Sequence, residues 1–105
     1  MYKDLSKTLK TIGDKNRLEI IDLLSCGELC ACDLLEHFPF SQPTLSHHMK
    51  ALVAEGIVTD KKEGTKTIYT LNRQKLDDTF LLLNQLTHNQ SPCICDHISE
   101  GECSS

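Results

Sequence analysis

From Glu28 to Val58 the chain reads ELCACDLLEHFPFSQPTLSHHMKALVAEGIV, and this stretch decides the fold. It holds two short apolar-striped segments, about Cys30 to His37 and Ser41 to Glu55, separated only by Phe38-Pro39-Phe40. Pro39 prevents the first helix from continuing. Ser41 is a good helix cap, and Pro43 stands in the first turn, where its missing N–H costs nothing. Gly56 stops the second helix. Within it Leu45, Met49 and Leu52 fall on one inward face, while Thr44, Ser46, His47 and Lys50 point away and Gln42 sits in the first turn. His48 borders the apolar stripe and is expected to be a structural histidine with a satisfied ring.

Beyond Gly56 the period changes. IVTDKKEGTKTIYTL contains two β-branched segments around Glu63-Gly64-Thr65, a hairpin with Gly64 at its tip. Two helices in a tight connection followed by a hairpin define a winged helix-turn-helix: mainly α, with a β-hairpin wing. On the N-terminal side, Leu5, Leu9 and Ile12 share a helical face. Asp14 then caps a second helix with a stripe of Leu18, Ile21 and Leu24 and with Ile20 beside it, which Gly27 ends. On the C-terminal side, Gln74 to Asn89 carries Leu76, Phe80, Leu81, Leu82, Leu83 and Leu86. That apolar surface is too wide for one contact and calls for two, the domain's own core and a second copy of the chain. Residues 1–91 therefore read as one DNA-binding and dimerisation domain, and 92–105, PCICDHISEGECSS, as a flexible cysteine-containing tail.

The net charge of −4 argues against a polyanionic partner only until it is divided along the chain. Residues 41–75 carry six basic side chains (Lys50, Lys61, Lys62, Lys66, Arg73, Lys75) against three acidic ones, whereas residues 76–105 carry five acids and no base. Local charge decides where a polyanion docks. Short hydroxyl, amide and imidazole groups on Gln42, Thr44, Ser46 and His47 suit base edges in a major groove, and Lys50 and the wing's Lys61, Lys62 and Lys66 suit phosphates. Neither a signal-peptide core nor a run near the ~18 apolar residues of a membrane span is present, so the chain reads as cytoplasmic with no membrane contact. With 5% aromatic residues and no Trp the core is aliphatic, and small cores of this kind often gain stability by dimerising.

Six cysteines in a chain without export features point to metal binding or thiol chemistry in place of a disulfide framework. Thiolates select soft ions, and trivalent arsenic or antimony favours three sulfurs in a pyramid. Cys30 and Cys32 are the leading ligands. Residues i and i+2 on a regular helix point about 200° apart. Cys30 and Cys32 can therefore share one ion only if that first helical turn unwinds, a distortion applied to the helix that packs against the recognition helix, Ser41 to Glu55. A thiol reductase fits poorly, since Cys30-Ala-Cys32 and Cys93-Ile-Cys95 are not C-x-x-C and no βαβ pattern surrounds them.

ELCACDLLEHF followed by SQPTLSHHMKALVAEGIV resembles the ArsR/SmtB family of metal-responsive winged-helix repressors, in particular its arsenic-sensing branch, over about residues 5 to 90. The resemblance implies a homodimer paired through its first and last helices. It also implies an operator of dyad symmetry in front of a metal-resistance operon, released when As(III) or Sb(III) binds Cys30 and Cys32. The arsenic sensors' third cysteine falls on Leu35 here, so Cys93 and Cys95 in the tail are the further ligand candidates, ahead of Cys26. Asp77, Asp78 and His88 do not reproduce the family's zinc spacing on the last helix. A thiol-redox repressor, or a Cd/Pb/Zn sensor of the same fold, is the alternative.

Overall fold

A computed structural model describes residues 1–88. The elements follow in the order α1 (Tyr2–Ile12), α2 (Lys15–Leu24), β1 (Leu29–Cys30), α3 (Ala31–His37), α4 (Gln42–Ala54), β2 (Val58–Glu63), β3 (Lys66–Leu71) and α5 (Arg73–Thr87). The winged helix-turn-helix expected from the sequence is present, and each helix lies within a few residues of its expected span. Asp14 caps α2 by accepting from the backbone N–H groups of Asn16 and Arg17 at 2.8 and 3.1 Å. Gly64 turns the wing at φ +64°, and Gly56 leaves α4 at φ +78°, both left-handed conformations that favour glycine.

The sequence did not announce β1. Leu29 and Cys30 pair antiparallel with Tyr69 and Ile68 of β3, so the sheet has three strands in the order β1-β3-β2. At the far end Asn72 closes the wing: its backbone N–H donates to the Ile57 carbonyl and its side chain to the Gly56 carbonyl, both at 2.8 Å. The same side chain caps α5 by accepting from the Lys75 N–H.

One core joins these parts. Ile20 and Leu24 of α2, Leu34 of α3, Leu45, Met49 and Leu52 of α4, then Ile57, Val58 and Leu76, form a single buried cluster. The stripe expected on α2 is rotated: Ile20 is fully buried, whereas Leu18, about 200° around the helix from it, is 51% exposed. Gly27 does not itself end α2, which stops three residues earlier at Leu24. On α5, Leu76 and Thr79 face the core, while Phe80 and Leu81 are 58% and 56% exposed. The two-sided helix anticipated from its composition is what the fold presents. Asn89, the expected end of that helix, and the tail 92–105 lie outside the described residues.

Candidate thiol site and nucleic-acid interface

Cys30 is not on a helix. It ends β1 and stands as the N-cap of α3 with extended backbone, φ −82° and ψ 163°. Its sulfur accepts from the Asp33 N–H at 3.2 Å, and the Asp33 carboxylate accepts from the Cys30 N–H at 3.2 Å. This is a reciprocal capping box with a cysteine sulfur in the place of the usual hydroxyl. Cys32, at the second position of α3, projects back toward it. The Cα atoms are 5.2 Å apart and the sulfurs are bonded to each other. The expectation that both thiols sit on a helix and meet only if its first turn unwinds is therefore wrong. The extended cap residue supplies the rotation that a helix would deny.

Asp33 completes a group in which one ligand atom from each of Cys30, Cys32 and Asp33 lies within 4.8 Å of the others, the one such cluster found among the described residues. Cys30 is buried, and Cys32 and Asp33 are exposed. No third sulfur joins them among the described residues. Cys26 is an exposed thiol at the end of α2, and Cys93 and Cys95 lie outside the described residues. Asp77, Asp78 and His88 of the last helix gather no such cluster.

The thiols open into a cleft of about 320 Å³ whose walls come from three elements. Cys30, Cys32 and Leu35 form one side, Gln42, Leu45 and Ser46 of α4 the second, and Lys62, Thr65, Lys66 and Thr67 of the wing the third. Leu35, the position of the third cysteine in the resembled sensors, thus faces the same space but offers an apolar side chain. The fold places Cys30, Cys32 and the expected DNA-facing residues Gln42, Ser46 and Lys66 on one cleft.

On α4 the expected outward residues, Gln42, Thr44, Ser46, His47 and Lys50, are all exposed, and Leu45, Met49 and Leu52 are buried. Ser41 is the N-cap, but its hydroxyl lies 3.2 Å from the Thr44 hydroxyl and does not cap a backbone N–H. On the wing Lys61 is 3.4 Å from Glu63, so part of its charge is answered locally. Lys62 and Lys66 have no such acidic partner among the described residues and are the stronger phosphate candidates.

His48 is buried, as its place beside the stripe suggested, and its partner is one that local sequence does not reveal. Arg17 Nε donates to His48 Nδ1 at 3.1 Å, and Arg17 Nη1 donates to the Thr11 carbonyl at 3.3 Å. One guanidinium thus spans the α1–α2 turn and the recognition helix. The acceptor at Nδ1 must be unprotonated, so the neutral ring carries its proton on Nε2. Burial pushes the His48 pKa down; the Asp14 carboxylate works against this, and the charges of Arg17 and His47 add to it. The Arg17 backbone N–H bond holds the Asp14 carboxyl below its usual range.

The fold and the exposed polar face of α4 define a winged helix-turn-helix regulator. A model of the bacterial regulatory proteins of the arsR family matches residues 14–60. The chain is 57% identical over 102 residues to the arsenical resistance operon repressor of Staphylococcus aureus, covering 97% of this chain and 98% of that one. Among solved structures, a possible transcriptional regulator for arsenical resistance superposes with a TM-score of 0.72 at 26% identity, over 90% of this chain and 98% of that one. The homodimeric winged helix-turn-helix domain of a Mycobacterium bovis protein superposes at 0.67 and 22% identity, over 85% and 83%. The chain belongs to the arsR family of DNA-binding transcriptional repressors and is not an enzyme.

Because the folded state lowers the His48 pKa, the unfolded chain takes up the proton first as pH falls. This contribution to stability is full above the ordinary histidine value of about 6.5 and declines below it, until the folded ring also protonates. His48→Gln keeps an acceptor for Arg17 without the titration. Thermal unfolding followed between pH 7 and pH 5 should show a smaller loss of Tm for this variant than for the parent. Equal losses would show that His48 does not carry the acid sensitivity.

Proposed function

We propose that the protein is an arsenite- or antimonite-responsive repressor of a metal-resistance operon. The observation that carries this is the convergence of Cys30 and Cys32 on a cleft shared with the recognition helix and the wing. The 57% identical S. aureus repressor of an arsenical resistance operon supports it. Once a dithiol reductant has opened the Cys30–Cys32 bond, arsenite, As(OH)₃, exchanges two hydroxyls for the two thiols and releases two waters, leaving a dithiolate with one arsenic–oxygen bond. The third position takes that hydroxyl or a tail sulfur from Cys93 or Cys95. Soft thiolate donors favour As(III) and Sb(III) over hard ions.

The operator-binding form is a homodimer paired through α1 and α5, within a domain of residues 1–91 followed by the tail 92–105. α5 exposes Phe80, Leu81 and Leu83, and Tyr2 on α1 is 61% exposed, an apolar surface that a second copy would cover. A two-fold dimer reads an operator of matching dyad symmetry. Gln42, Thr44, Ser46 and His47 face base edges, and Lys50 and Lys66 face phosphates. No helix among the described residues is long and apolar enough to cross a membrane, and a repressor that binds an operator works in the cytoplasm. A second reading, reversible oxidation of the same pair, is favoured by the bonded sulfurs. Holding the protein reduced separates the two readings, since only metalloid binding then remains.

With the protein kept reduced, operator gel shifts titrated with As(III), Sb(III), Cd(II) and Zn(II) should show release by the first two at the lowest concentrations. Cys30→Ser and Cys32→Ser should each still bind the operator, serine being a good helix cap at position 30, and should each lose release by arsenite. Release of either variant by arsenite at the parent's concentration would refute the site. Phe80→Glu should weaken dimerisation, followed by sedimentation, and operator affinity together; a monomer with full affinity would show that pairing is not needed. Lys66→Ala should weaken binding to all sequences and lower the slope of log K against log salt by about 0.9 for each phosphate it neutralises. An unchanged slope would take the wing off the DNA.

A further inference from the structure

We propose that the thiol cleft is itself the seat of an operator backbone phosphate, so that inducer and DNA compete for one place. This rests on the reading of Cys30 and Cys32 as the inducer thiols and says how their occupation reaches the DNA. Three observations carry it. First, the sulfurs meet with α3 intact, because Cys30 is an extended cap residue. Binding at the pair therefore does not require the helix under the recognition helix to melt.

Second, the cleft of about 320 Å³ is lined on its other walls by Gln42 and Ser46 of α4 and by Lys62 and Lys66 of the wing. Two ammonium groups free of acidic partners at 4 Å among the described residues make a donor set for a phosphate, and the Gln42 amide and Ser46 hydroxyl across from them stay available to base edges. Third, Cys30 is 5% exposed whereas Cys32 is exposed, so anything added at the pair grows outward from Cys32 into that space. Cys32 and the two lysines line this one space, so a group added at Cys32 and a phosphate held by the lysines draw on the same walls. The dithiolate of arsenite is uncharged, so it displaces the phosphate by occupying volume and not by repelling it. A single uncharged adduct on Cys32, with no bridge to Cys30, then suffices to evict DNA.

The first test uses the full reduced chain. Iodoacetamide labelling is timed at each cysteine by mass spectrometry, with saturating operator and without it. Operator should slow labelling of Cys32 at least tenfold and leave the exposed Cys26 unchanged; equal rates at Cys32 would overturn the proposal. Inorganic phosphate at matched ionic strength should not protect Cys32. Protection by it alone would put a free anion in the cleft and overturn the assignment to the DNA backbone.

The second test compares modified and unmodified forms of a chain whose sole cysteine is Cys32. S-methylthiolation should weaken operator binding less than the N-ethylmaleimide adduct, which should weaken it at least tenfold. Full affinity with the larger adduct would overturn competition. If arsenite releases the parent while Cys32 stays open to labelling in the complex, the shared seat falls and the repressor reading stands. If Cys32 is shielded but arsenite releases nothing, the reading falls and the seat stands.

Discussion

The structure depends on what the backbone does at Cys30. This one residue ends β1, caps α3 and carries a thiol. As a strand residue it is tied to Ile68 in the inner strand of the wing, and as a cap it exchanges hydrogen bonds with Asp33. A helix cap contributes about 1 kcal/mol, small against a fold but comparable with the ~1–3 kcal/mol that couples allosteric sites. Residue 30 thus belongs to both the wing's sheet and the helix-turn-helix, and a ligand there borders both.

The recognition helix is held from the opposite side by a different device. Met49 and Leu52 fix its inward face in the core, and the Arg17–His48 bond fixes its rotation relative to α2. Thr8 donates to Glu55 at 2.8 Å and ties α1 to the C-terminal end of the same helix. With its back anchored to both N-terminal helices, α4 can present Gln42, Ser46 and Lys50 as a fixed array. If two copies pair over the exposed Phe80, Leu81 and Leu83 of α5, that surface would set how two such arrays are spaced, so dimer contacts and DNA contacts would belong to one design although they share no residue.

Much of this was legible in the sequence because it is local. Asp14, Gly64, the wide stripe of α5 and the outward set on α4 are readable from spacing and caps, and each stands where expected. What was missed is set by partners far along the chain. A strand of two residues has no period of its own; β1 exists because β3 lies beside it, and nothing near Leu29 declares that. Arg17 and His48 are 31 positions apart, so the histidine could be read as structural but its partner could not be named. Leu18 fitted a helical stripe as well as Ile20 did, and the burial that separates them comes from α4 and the wing. The largest error, the two thiols diverging on a helix, had the same origin: without β1, Cys30 looked helical.

That error also explains how a C-x-C pair can work at all. Inside a helix the two side chains diverge by about 200°, and a shared ion would oppose the fold. At a strand-to-helix junction the first residue is extended and the third is already in the helix, so both side chains turn to one side at no cost to either element. The same geometry serves sulfur–sulfur bonding and metalloid binding, since both need only that two sulfurs meet. What such a site would favour is then decided by what fills the third position. With Leu35 where a further sulfur would stand, the third position is left to oxygen or to a residue beyond 88, and selectivity falls to the cleft's shape and to the softness of two thiolates. Because Gln42, Ser46 and the wing lysines line the same cleft, a ligand that filled it and a DNA strand that rested on it would meet in one volume.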